Sequence, residues 1–113
     1  MKDLSLSEML DMQRKLHEHY RARWGELVPG LGKELMLWMM AEAGEAAQVI
    51  KKQGDEGILT DEAARSHFVE EMCDVLMYFG DVLLAYSVTP EEIRDAYIQK
   101  YERNMTRWPT VNQ

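Results

Sequence analysis

A single cysteine among 113 residues leaves nothing for an internal disulfide, so the fold must hold by packing, which suits a reducing compartment. Prolines number only three, at positions 29, 90 and 109, too few to interrupt long helices. No apolar run exceeds "LMLWMMA", far short of the roughly 20 residues that cross a bilayer. The opening "MKDLSLSEML" is amphipathic and acidic, without a signal-peptide pattern. These absences predict a cytoplasmic protein with no membrane partner. Basic residues are also in deficit: the net charge is −7. No basic stripe exists to displace counterions from a phosphate backbone, which argues against a nucleic acid polymer as partner. A small phosphorylated ligand held through a divalent cation stays open, because such a site needs acidic residues. There is no glycine-rich phosphate loop and no nucleophile elbow. None of His17, His19 and His67 follows a glutamate by three positions, which argues against a di-iron carboxylate bundle built on Glu-x-x-His.

What is present is helical. An apolar fraction of 46% suits one folded domain spanning residues 1–113. Ser5 and Glu8 are spaced as a capping box, predicting a first helix from about Ser7 to Trp24. "VPGLG" breaks the chain, and a second helix is predicted from about Lys33 to Lys52, followed by a loop at "QGDEGILT". Thr60 is the expected N-cap of a third helix reaching about Tyr86. Thr89, Pro90 and Glu92 mark the start of a fourth, running to about Trp108. No alternating strand pattern competes. The expected fold class is all-α, a four-helix bundle.

The stretch "WMMAEAGEAAQVI" carries two carboxylates in an apolar setting. At roughly 100° per residue, Lys33, Glu34, Gln48 and Lys51 share a polar arc, while Glu42 falls between Leu35 and Val49, near Trp38. Glu45 borders the same apolar sector. A lone Glu-x-x-Glu is commonly just a solvated face. Here a second pair, Glu71 and Asp74, repeats the spacing on the third helix, on a stripe with His67, Tyr78 and Asp81. Phe68, Met72, Val75, Leu76, Phe79 and Leu83 form the apolar arc opposite. Cys73 points away from both acids and reads as a small core residue. Four converging carboxylates raise one another's pKa unless a cation compensates. An all-oxygen set favours Mg²⁺, with Mn²⁺ a possible substitute, over zinc.

Two amides also occupy unexpected places. Gln13 sits amid the apolar arc of the first helix, with Met9, Met12, Leu16 and Tyr20. It could read the edge of a base or simply bond a neighbouring group. Asn104 falls beside Ile93 and Tyr97, flanked by Lys100 and Arg107, a combination suited to phosphates or to an ordinary helix C-terminus. Trp24 and Trp38 could stack on a base or pack in a core.

With "EAGE" at Glu42–Glu45, "EMCD" at Glu71–Asp74 and twenty-five residues between them (46–70), the chain resembles the MazG-like, all-α NTP pyrophosphohydrolase superfamily. That superfamily also includes dimeric dUTPases and dCTP pyrophosphatases. "LSEMLDMQRKL" is similar to the opening helix of the dimeric dUTPases, and "KYERNMTRW" to a segment that family members place against nucleotide. The resemblance implies Mg²⁺-dependent hydrolysis of a nucleoside triphosphate to the monophosphate and pyrophosphate, with house-cleaning of non-standard or pyrimidine nucleotides as the role it suggests. It makes Glu42, Glu45, Glu71 and Asp74 metal ligands and catalytic residues, with Glu45 one option for a general base. Lys100 and Arg107, with Lys51 or Lys52 as further candidates, would face the phosphates. Gln13, Trp38 and Asn104 would face base and sugar. It also implies a homodimer or homotetramer, which suits the Met-rich second helix. The alternative is a noncatalytic binding or nucleotide-sensing module on the same fold.

Overall fold

The computed structural model describes residues 2–110. They form five α-helices and one 3₁₀ turn, in the order α1 (Leu6–His19), α2 (Arg21–Trp24), the turn Pro29–Leu31, α3 (Gly32–Thr60), α4 (Glu62–Ala85) and α5 (Pro90–Arg107). No strand occurs among the described residues.

Local chemistry sets most of the boundaries. Ser5 Oγ accepts from the Glu8 amide at 3.1 Å, and Glu8 returns the favour to the Ser5 amide at 2.8 Å, closing the expected capping box. The Thr89–Glu92 box on α5 is likewise closed, at 2.7 and 3.2 Å, with Pro90 in the first turn. The first helix does not run unbroken to Trp24. Tyr20 leaves helical geometry (φ −103°, ψ 23°), and the single-turn α2 folds Trp24 back over His17, ring centroids 5.1 Å apart.

The predicted loop "QGDEGILT" is also corrected. Helical structure continues through it, broken only at Gly54, whose φ of 72° and ψ of 166° lie outside the helical region. A Cβ would make that conformation costly, so glycine permits a kink where a loop was expected. Residues 55–60 are helical again. Thr60 is not the N-cap of α4: its hydroxyl donates to the Glu56 carbonyl at 2.7 Å. Asp61 takes that role, accepting from the Ala64 amide at 2.9 Å.

Helices α3 and α4 form the main pair. Residues that meet across it, Gly32 with Tyr86, Trp38 with Tyr78 and Glu45 with Glu71, rise along one helix as they fall along the other. The pair is therefore antiparallel. Helix α1 crosses α4 at Gly80, where an added Cβ would come within 3.4 Å of Gln13 and Leu10. The glycine lets the two backbones approach.

The fold is all-α, with α3 and α4 as its central pair, α1 packed on α4 and α5 in contact with α1. The chain turns by 113° between α4 and α5, and among the described elements α5 meets only α1. The radius of gyration is 17.3 Å, against about 13 Å for a compact domain of about 100 residues. Buried apolar residues are few and mostly small: Leu10, Leu35, Ala46, Val49, Ala64, Leu83 and Ala85. Of the apolar arc of α4, Leu83 is buried and Phe68, Val75 and Phe79 are partly buried, whereas Met72 and Leu76 are exposed. Cys73, expected in a core, is also exposed, and on the acidic stripe Asp81 is buried and Glu71, Asp74 and Tyr78 are partly buried. Met36, Leu37 and Met40 on α3 and Tyr97, Ile98 and Tyr101 on α5 also face solvent. No single helix among the described residues is long and apolar enough to cross a membrane.

Candidate metal centre and its two clefts

Glu42 and Glu45 lie three residues apart on α3, so they project from neighbouring positions of one face. The antiparallel register brings Glu71 of α4 opposite them. One oxygen from each of the three lies within 4.8 Å of the others. Glu42 and Glu71 are partly buried and Glu45 is exposed, as expected for Glu42 placed between Leu35 and Val49, both of which are buried.

Three carboxylates in this space are electrostatically unbalanced. Burial pushes the Glu42 carboxyl up to about 7. The neighbouring Glu45 and Glu71 carboxylates add to the effect by accepting from its protonated form, and the charges of Glu45 and Asp74 act in the same direction. Glu42 Oε2 and Glu71 Oε2 are buried without a hydrogen-bond partner. Such orphaned acceptors are costly unless something satisfies them. A hard divalent cation fits all three observations, supplying positive charge and accepting oxygen ligands only.

Asp74 lies outside this three-way convergence. It stands next along the stripe of α4, where its charge reaches Glu42 and Tyr78. Of the four acids, three are brought together and the fourth is adjacent.

The cluster separates two clefts. The outer one, of about 510 Å³, is lined by Glu45 and Glu71 together with Gln48, Lys51, Lys52, Gln53 and His67. His67 Nε2 lies 3.3 Å from Glu71 Oε1. The inner one, of about 530 Å³, runs from Asp74 to Gln13, with Trp24, Trp38 and Tyr78 among its walls. Trp38 and Tyr78 are tilted 59° to each other with centroids 6.1 Å apart. Burial, and then the charges of Glu42, Asp81 and Asp74, raise the Tyr78 hydroxyl above its ordinary pKa, so it remains a neutral phenol.

Gln13 is buried, 5% exposed. Its Nε2 donates to Asp81 Oδ1 at 2.7 Å, so one side of the amide bonds a neighbouring side chain. His17 Nε2 meets the other oxygen, Asp81 Oδ2, at 3.2 Å. Trp24 and Trp38 are half exposed along the inner cleft rather than packed in a core. Lys100, Asn104 and Arg107 line neither cleft. All three are exposed on α5, and Asn104 does not face a core. Arg107 lies 4.8 Å above the Trp108 ring.

Helical spacing puts His67, Tyr78 and Asp81 on the stripe of the acids but assigns them no role. His17 follows Gln13 by four residues and so shares its helix face, the one signal in the sequence that could have placed it at the site. Comparison with protein-family models, curated proteins and solved structures gives no significant match.

Proposed function

We propose that the protein is a Mg²⁺-dependent nucleoside triphosphate pyrophosphohydrolase, converting a (deoxy)nucleoside triphosphate and water to the monophosphate and pyrophosphate. The observation that carries this reading is the acidic cluster with its two orphaned buried oxygens, standing between a lysine-bearing cleft and an aromatic one. The "EAGE" and "EMCD" resemblance points the same way.

In this reading Glu42, Glu45 and Glu71 hold the cation, with Asp74 beside them. Held there, Mg²⁺ would supply charge to neutralise the phosphates and would lower the pKa of water at the site. Lys51 and Lys52 offer charge to the phosphates from the outer cleft. Trp38 and Tyr78 offer flat apolar faces to a base in the inner cleft, and Gln13 closes its floor. Lys100, Asn104 and Arg107 would act from a second copy of the chain. The open shape and the exposed apolar residues of α3, α4 and α5 support a homodimer or homotetramer, in which α5 packs against another protomer.

The test is pyrophosphate release from a panel of dNTPs and NTPs with Mg²⁺, beside the Glu42→Gln variant. Turnover by the wild type that falls at least a hundredfold in the variant is expected. No turnover of any nucleotide by folded wild type would refute the enzyme. One observation favours a second reading. The exposed Met36, Met40, Met72 and Met77 suit an adaptable docking surface, and a noncatalytic module would bind its partner there without hydrolysing nucleotide.

A further inference from the structure

Carboxylates crowded into one place repel one another and swing apart unless something holds them. Glu45 is exposed and can turn toward water. Glu71 is placed differently. Its side chain is only 14% exposed, and its two oxygens meet different surroundings. Oε1 lies 3.3 Å from Nε2 of His67, one turn earlier on α4. Oε2 is buried without a partner, like Oε2 of Glu42. An ionised carboxylate only accepts hydrogen bonds, so His67 must turn an Nε2–H toward it, whichever charge the ring carries. The imidazole itself is 58% exposed and lines the outer cleft with Lys51 and Lys52.

We propose, on the reading of the acidic cluster as a metal centre, that His67 is a positioning residue of that centre. By holding Oε1 it keeps the Glu71 carboxylate from turning out to water, and it leaves Oε2 as a buried acceptor. The four-residue spacing lets one helix carry both the ligand and its support. Lys15 and Asp11 have the same spacing on α1, but both of their side chains are exposed, so that pair orients nothing behind it. Donors that hold a ligating carboxylate from outside change metal affinity by about tenfold to a hundredfold. A role through charge alone has the opposite sign, because removing a positive ring beside the site would strengthen metal binding.

The experiment is Mn²⁺ titration followed by electron paramagnetic resonance, without nucleotide, on the wild type, His67→Ala and His67→Gln. His67→Ala is expected to weaken Mn²⁺ binding about tenfold. The amide of His67→Gln can donate from nearly the same place, and affinity should return to within about threefold of the wild type. Rescue by a neutral donor separates positioning from charge and from general disturbance of the helix. Unchanged or tighter binding by His67→Ala overturns the proposal, as does a loss that His67→Gln does not rescue. Wild type that binds no Mn²⁺ removes the metal centre and the proposal together, whereas wild type that binds it and is indifferent to His67→Ala removes the proposal alone. If Mn²⁺ binds as expected and no nucleotide is hydrolysed, the hydrolase reading fails while the role of His67 stands.

Discussion

A proton and a divalent cation should compete for Glu42. Its carboxyl is pushed up to about 7 in the folded protein, against an ordinary value of 4.5, because burial and the adjacent carboxylates disfavour its charge. Ligating a cation requires the charged form. With a folded value of about 7, roughly a tenth of the sites carry an ionised Glu42 at pH 6 and roughly nine-tenths at pH 8. The apparent affinity for Mn²⁺ or Mg²⁺ should therefore rise about tenfold over those two pH units, and binding at pH 7 should release about half a proton. Mn²⁺ titration followed by electron paramagnetic resonance measures the first quantity. Calorimetry in buffers of different ionisation enthalpy measures the second. The same shift fixes a sign for metal-free stability. The Glu42 contribution is fully present below the unfolded value of 4.5 and is lost as pH rises through about 7. Metal-free protein should therefore lose stability across that window, and Glu42→Gln should remove this part of the slope. Metal affinity that is flat from pH 6 to pH 8, or that is unchanged in Glu42→Gln, would refute the assignment of Glu42 as a ligand.

Three further outcomes test the architecture. Gly54→Ala forces a Cβ into a backbone with φ of 72° and ψ of 166° and should cost about 1–3 kcal/mol, or roughly 4–12 °C in Tm; an unchanged Tm would show that the kink is not needed. Asp61→Ala should cost about 1 kcal/mol by removing the cap on the Ala64 amide, whereas Thr60→Ala should cost clearly less. The reverse order in urea denaturation would restore Thr60 as the cap. Finally, light scattering should find more than one chain per particle, and Tm should rise with protein concentration. A monomer with a concentration-independent Tm would require α5 to fold back onto its own chain.

Legibility differed by the range over which each feature is decided. Capping boxes at Ser5–Glu8 and Thr89–Glu92 involve groups three residues apart, so sequence spacing was enough to find them. Gly54 was read as part of a loop because a glycine that ends a helix and one that kinks it look alike without the residues beyond. Asp61 displaced Thr60 as N-cap because the Thr60 hydroxyl found the Glu56 carbonyl first. The acidic pairs were legible because helical periodicity puts residues three apart on one side, and the apolar neighbours of Glu42 marked its burial. His17 and Asp81 were not assigned to the site, because what places them beside it is contact across helices, 64 positions apart in sequence.

By itself the sequence determined the all-helical class, the capping boxes at Ser5 and Thr89 and the two acidic pairs, all consequences of interactions within a turn or two of chain. The tertiary structure decided which three of the four acids converge, and that α4 turns its acidic stripe inward while Met72 and Leu76 face solvent. It also decided that Asp81 meets Gln13 and His17 across helices and that α5 stands apart from α3 and α4. The physical reason is that a helix wheel ranks the faces of one helix but carries no information about which face another helix will cover. That choice depends on register, on the close approach allowed at Gly80, and on where the chain turns between α4 and α5.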